Sequence, residues 1–241
     1  MTNRKKSKSP HVGSDFDKIQ LTSKKLTAKQ KQFLKIAIDP DTKIMLIAGP
    51  AGSSKTYMAV YSALRLLCNN RDSDLLYIRT IIESAEKGLG ALPGDLNEKF
   101  NPYTAPLEDK LSEILPPNTT TKKDLLEKGR IDAMPINFLR GVNWEDKIVI
   151  MDEAQNATLK ELTTLITRIG HNTILYICGD FMQSDINGKS GFGQMFDLFD
   201  DTESKQKGIH CFEFNEEDIV RSEILKYIIY KLRKDAESTR R

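Results

Sequence analysis

The sequence is poor in cysteine, in histidine and in long apolar runs, and each scarcity excludes something. Cys68, Cys178 and Cys211 are scattered with no close pair, which suits a reducing cytoplasm and reads as buried small hydrophobes. His11, His171 and His210 show no metal-ligand spacing, so no metal beyond magnesium is expected. The longest apolar stretches, around "KIMLIAG" and "KIVIM", are of strand length, and 29% of residues are charged, so no membrane-spanning helix is expected. The basic start, "MTNRKKSKSP", leads into no hydrophobic segment and is not read as a secretory signal. No internal repeat is visible.

What is present is one domain's worth of chain, 241 residues, with charge unevenly spread. The net charge is +2, but residues 1–37 carry ten Lys/Arg against two Asp/Glu, and residues 226–241 carry six against two. That leaves the middle at −10. Basic ends on an acidic body attract polyanions such as nucleic acid, although a solubilising tail is the plainer reading of residues 1–14. The expected organisation is a flexible basic arm over 1–20, an ordered domain over 21–234 and a basic tail over 235–241.

From residue 27 the chain becomes periodic. "TAKQKQFLKIAI" puts Phe33, Leu34, Ala37 and Ile38 on one helical face, with Thr27 as N-cap. Strands are expected at 43–48, 74–79, 147–152, 173–178 and 209–214. Helices are expected at 55–68, 105–115, 157–168 and 217–233, the third opened by a Thr158/Glu161 capping box. Strands alternating with helices imply an α/β fold, a parallel sheet flanked by helices on both faces. Segment 80–104, with its Gly and Pro, reads as a long functional excursion from that sheet.

The stretch "IAGPAGSSKTYMAVYSALRLL" has the strand–turn–helix order of a phosphate-binding loop. In the pattern G-x-x-x-x-G-K-[ST], Gly49 opens the turn, followed by Pro50, Ala51, Gly52, Ser53 and Ser54. Lys55 reaches the β- and γ-phosphates, and Thr56 ligands Mg²⁺. Ser54 stands where the second glycine belongs; it is small, and Gly52 keeps the turn flexible, so nucleotide binding is expected to survive. A glycine-rich turn entering an ordinary helix is the plain alternative. "KIVIMDEAQN" weakens that alternative. It is an apolar strand ending in two acids, with Asp152 suited to hold the metal from a neighbouring strand and Glu153 suited to orient or deprotonate water. "ILYICGDFMQSD" is a third strand with a polar tip, where Gln183 could sense the γ-phosphate; a simple Gly/Asp turn is the competing reading.

"GPAGSSKT", "LPGDLNEKFNPYTAPL", "DEAQN" and "GDFMQSD", in this order, resemble the PhoH family over about residues 25–232. The resemblance implies a P-loop NTPase with a single RecA-like core, related to superfamily 1 helicases, that binds and hydrolyses ATP with Mg²⁺. It also implies that Gln30 contacts the adenine, that Gln183 senses the γ-phosphate, and that Arg221 in "DIVRSEIL" stabilises the transferring phosphoryl group. The chain departs from the family at Ser54, and its length leaves no room for the RNase-type domain some relatives carry.

Helicase relatives usually place nucleic acid across two cores. A single core suggests a ring of subunits, a hexamer among the options, with Arg221 acting in its own subunit or on a neighbour's ATP. Arg79, Thr80, Lys87 and Arg140 are candidate contacts to single-stranded RNA or DNA, and Trp144 and Tyr103 candidate stacking surfaces if they do not simply pack the excursion. The expectation is a cytoplasmic ATPase, helicase-like and dependent on single-stranded nucleic acid. The alternative is a nucleotide-driven switch that binds a protein partner, with its acidic middle as the docking face; a small-molecule kinase is a weaker third.

Overall fold

The computed structural model describes residues 19–234 apart from 23, 70–72, 81–95, 118, 137–142, 185, 187, 220–223, 225–226, 229 and 232–233, and leaves aside the side chains of 96–103 and 119–121. Lys87, Arg140 and Arg221 therefore lie outside the described residues, as do the 1–18 stretch, the 235–241 tail and the Tyr103 side chain.

Helix α1 (Ala28–Ala37) starts where Thr27 predicts, with a reciprocal cap: the Gln30 amide N–H donates to Thr27 Oγ1 and the Thr27 amide N–H donates to Gln30 Oε1. Then come β1 (Ile44–Ala48), α2 (Lys55–Asn69), β2 (Asp74–Arg79), α3 (Leu96–Ile114), α4 (Thr119–Glu127) and β3 (Ile131–Pro135). The second half holds β4 (Lys147–Asp152), α5 (Leu159–Ile166), β5 (Ile174–Gly179), α6 (Phe192–Phe199), α7 (Thr202–Gln206) and β6 (Ile209–Glu213). The Thr158/Glu161 capping box opens α5 as expected.

The six strands form one parallel sheet in the order β3-β2-β4-β5-β1-β6. This corrects one expectation: the acid-tipped β4 does not neighbour β1, because β5 lies between them. Burial on both faces explains the near-continuous apolar runs. Alternation divides each strand between two cores. Met45, Ile47, Leu75, Tyr77, Ile148, Ile150, Tyr176 and Cys178 face α1, α2 and α3. Leu46, Leu76, Ile78, Val149, Met151, Leu175 and Ile177 face α5 and α6. Asp152 follows the parity of Ile148 and Ile150 and emerges on the α2 side.

Several expectations need correction. Residues 96–104, read as part of an excursion, are the first half of α3. Strand β3 and helices α4, α6 and α7 are additional to the expected elements. β3 carries Asp132 and Pro135 and lies at the sheet edge, the place where a strand tolerates proline. The helix expected from 217 does not begin there. Glu216–Asp218 is a separate 3₁₀ turn capped by Asn215, and Ile219 is extended. Trp144 is buried in the core against α5 and α6, with its carbonyl accepting from the Gly170 amide and Thr173 Oγ1, so it packs and offers no stacking face.

α1 is moored to the sheet by Phe33, whose ring meets Phe212 and Phe214 at 5.2 and 5.5 Å. The fully buried Tyr176 hydroxyl also donates to Ala37 O at 2.6 Å. Tyr176→Phe should strand that helix-terminal carbonyl and cost about 1–3 kcal/mol, read as a lower urea midpoint at unchanged slope.

Candidate functional site

The carboxyl ends of β1, β4 and β5 open on a cavity of about 560 Å³, roofed at one side by residues 24–26 and by α3. Gln30, Gly52, Ser54, Lys55, Thr56, Asp152, Glu153 and Gln183 all line it. A crevice beyond the strands' carboxyl ends is where open α/β sheets bind ligands.

The glycine turn is built tightly. A Cβ on Gly49 would meet Phe214 and Ser53 Oγ at 2.9 Å, so glycine is the residue that fits there. Ser53 is fully buried and donates from both its amide and its hydroxyl to Pro50 O. Ser54 has φ +69°, the left-handed region that glycine occupies without strain. Serine thus reproduces the glycine conformation at a cost, and the turn keeps its shape. Lys55 Nζ donates to Gly49 O at 2.6 Å and to Pro50 O at 2.9 Å, which holds the ammonium at the mouth of the turn. Burial lowers the Lys55 pKa from its ordinary range, against the opposing pull of the Asp180, Asp152 and Glu153 carboxylates.

Asp152 is buried and accepts two hydrogen bonds, from Thr56 Oγ1 to Oδ1 at 2.9 Å and from Tyr77 OH to Oδ2 at 2.6 Å. Thr56 belongs to the first turn of α2, so the helix crosses over β5 to reach β4. Burial, and then the Asp152 carboxylate, push the Tyr77 phenol far up. The same burial raises the neighbouring Cys178 thiol, which sits as an inert core residue.

Glu153 is held by three side chains. Its backbone is left-handed (φ 57°, ψ 38°), a conformation that in non-glycine residues costs of order 1–3 kcal/mol and concentrates at functional sites. Arg79 Nη2 lies 3.4 Å from Oε1, and Gln155 Nε2 donates to Oε2 at 2.6 Å. The Thr80 hydroxyl donates to the Glu153 carbonyl. Gln155 also accepts from the Asp180 amide at 3.1 Å, which ties the acid to the tip of β5; Ser184 Oγ donates to Gln155 O at 3.2 Å. Gln183 is exposed on that tip and faces the cavity.

The structure thus brings together Gln30, the 49–56 turn, Asp152, Glu153 and Gln183. Arg79 and Thr80, expected as strand contacts, touch Glu153 itself. Tyr77 and Gln155 carry no sequence-based expectation. The signal for Tyr77 is its parity with Arg79 on β2, which places it on the face where Asp152 emerges. Among the described residues no group of three or more His, Cys, Asp and Glu side chains is arranged to hold a metal. Thr56 Oγ1 and Asp152 Oδ1 are hard oxygen donors beside Lys55, the kind of partial set that Mg²⁺ completes with phosphate oxygens and water.

A family profile described as PhoH-like protein matches residues 22–232. A PhoH-like protein of Synechocystis is 35% identical over 205 residues, 84% of this chain and 60% of that protein. A PhoH-like protein of Bacillus subtilis is 37% identical over 183 residues, 75% of this chain and 55% of the relative. Protein PhoH of Escherichia coli is 29% identical over 211 residues, 87% of this chain and 58% of that protein. The chain therefore spans little more than half the length of these relatives. A Pif1 helicase from Candida albicans superposes with a TM-score of 0.38 at 15% identity, covering 80% of this chain and 40% of that one, too loosely to bear on the assignment. The chain belongs to the PhoH-like family, and its sheet and glycine turn are those of a P-loop NTPase.

The left-handed serine generates a prediction. Ser54→Gly should remove about 1–2 kcal/mol of backbone strain and return part of it as unfolded-state entropy, for a net gain of up to about 1 kcal/mol. Thermal unfolding of the nucleotide-free protein should show the midpoint rising, and nucleotide affinity should hold or improve.

Proposed function

We propose that this chain of the PhoH-like family binds ATP with Mg²⁺, hydrolyses it, and does so faster when single-stranded RNA or DNA is bound. The observation that carries the reading is the 2.9 Å bond from Thr56 to Asp152, beside Lys55, in one cavity. In this reading the triphosphate takes Lys55 from the Gly49 and Pro50 carbonyls, and its added negative charge favours the charged ammonium. Thr56 and Asp152 hold Mg²⁺, which neutralises charge developing on the phosphates. Glu153 aligns the attacking water and accepts its proton, with Arg79 and Gln155 limiting its rotamers. Gln183 meets the γ-phosphate, and Gln155 carries its loss from the β5 tip to Glu153. Gln30 contacts the adenine. Arg221 supplies further charge to the phosphoryl group.

The same contacts support dependence on nucleic acid. Arg79 and Thr80 both touch Glu153, so a strand phosphate drawn to Arg79 acts on the residue that handles the water. Lys87, Arg140, the basic arm over 1–20 and the excess of Lys and Arg over 226–241 extend the attraction to a polyanion. A neighbouring subunit supplies the second wall of the strand path, in a ring.

Turnover measured with and without single-stranded RNA and DNA tests this. Stimulation should fall steeply with salt; no stimulation by either strand would leave the partner-binding switch as the better reading. Glu153→Gln should still bind ATP while turnover drops at least about 100-fold. Lys55→Ala should abolish the thermal stabilisation that nucleotide confers. A Glu153→Gln variant that hydrolyses at the parental rate would remove Glu153 from its role.

A further inference from the structure

Asp152 and Tyr77 stand on adjacent parallel strands whose register pairs Tyr77 with Ile150 and Arg79 with Asp152. They are diagonal neighbours two positions apart on one face, a separation that a tyrosine ring spans when it leans along the strand. Tyr77 is fully buried, and its hydroxyl reaches the far oxygen of the carboxylate, Oδ2, at 2.6 Å. Oδ1 carries the Thr56 hydroxyl at 2.9 Å, and Thr56 lines the cavity with Asp152 whereas Tyr77 does not. A carboxylate can only accept, and a protonated phenol in this position donates to it, so the two oxygens of Asp152 are chemically distinct before any ligand enters.

We infer that Tyr77 is the positioning residue of the metal site: by occupying Oδ2 it fixes the Asp152 carboxylate plane and leaves Oδ1, with Thr56, as the edge that meets the magnesium of Mg²⁺–nucleotide. This rests on the proposed nucleotide reading and adds to it the group that sets the carboxylate's geometry. Two physical effects act together. The short buried bond restricts rotation about the Cβ–Cγ bond of Asp152, so the oxygen offered to the metal, or to a metal-bound water, is prealigned. It also commits Oδ2 to the phenol, so the oxygen left to serve an ion would be the one already paired with Thr56. Leucine or phenylalanine at 77 would pack as well but leave a buried carboxylate oxygen without its donor.

Tyr77→Phe tests it, in the full chain, by titrating Mg²⁺ against ADP binding and against ATP turnover. The expected result is a fold unchanged by circular dichroism and ADP affinity in EDTA within about two-fold of the parent. The Mg²⁺ concentration at half-effect should rise about ten-fold or more, the range seen when a supporting partner of a metal ligand is removed. Turnover should recover substantially at saturating Mg²⁺, which a general packing defect would not allow. An unchanged Mg²⁺ midpoint in a folded Tyr77→Phe protein overturns the role of Tyr77. Should Tyr77→Phe alone fail to fold, the double change Tyr77→Phe/Asp152→Asn decides the matter. Regained folding supports the pairing, since the charge that needed the hydroxyl is gone, and equal loss of folding reduces Tyr77 to a core residue and overturns it. A parental chain that binds no nucleotide with or without Mg²⁺ would instead sink the nucleotide reading, an outcome visible in the same titration before the variant is added.

Discussion

A carboxylate buried under the first turn of a helix is the constraint around which this molecule is arranged. Asp152 is 6% exposed, and an unpaired charge there would be strongly destabilising. It is stabilised by the Thr56 and Tyr77 hydroxyls and by the amino-terminal end of α2, whose partial positive charge favours an anion. Because β5 separates β1 from β4, the contact forms only if α2 leaves the tip of β1 in a direction that carries it over β5. The tight turn at Gly49–Ser54 sets that direction. The unusual backbone at Ser54 and the dryness of Asp152 are thus two ends of one requirement.

The tip of β2 supplies most of the remaining control. Tyr77 reaches Asp152, Arg79 reaches the Glu153 side chain, and Thr80 binds the Glu153 carbonyl while its own amide lies 3.4 Å from Asp152 O. In-register pairing of β2 with β4 puts these groups opposite the acids, so three of the four residues of "YIRT", Tyr77, Arg79 and Thr80, hold Asp152 and Glu153. The left-handed turn at Glu153 is affordable because the residues on either side of it are held this firmly. Cutting the chain free of β2 would relax Glu153 toward ordinary backbone and aim its carboxylate elsewhere.

The strands that carry the site were legible because each is an apolar run ending in polar groups, and the Thr27 cap and the Thr158/Glu161 capping box were legible because caps are local chemistry. The order of the strands was not. Nothing in "KIMLIAG", "KIVIM" or "ILYICG" says which lies beside which, and the expectation that the acids sit next to the glycine turn failed on that point. Strand β3 escaped because an edge strand tolerates Asp132 and Pro135, residues that argue against a strand anywhere else. Helix α6 begins after Gly191. Glycine is required at that position for a steric reason, since a Cβ there would lie 2.2 Å from the Leu159 amide. Tyr77 shows the limit most clearly: alternation gave its face, but only the pairing with β4 gives it a partner.

The two ends of the cavity are also mechanically joined, which bears on what a ligand there would experience. Gln30 lines the cavity from α1, and its amide oxygen is committed to the Thr27 cap, so the side chain is already oriented. One turn further on, Phe33 packs on Phe214, and Phe214 backs Gly49 so closely that even a methyl group would collide. The Phe214 amide donates to Ala48 O, the residue before the turn. A shift of the glycine turn is therefore transmitted through Phe214 and Phe33 to the helix bearing Gln30. Because packed cores yield in discrete steps, the glycine-turn and Gln30 ends of the cavity should move as one unit. On the nucleotide reading proposed above, a ligand would meet a Gln30 side chain already oriented by the Thr27 cap, so the entropy of ordering it is lost in folding and not again on binding.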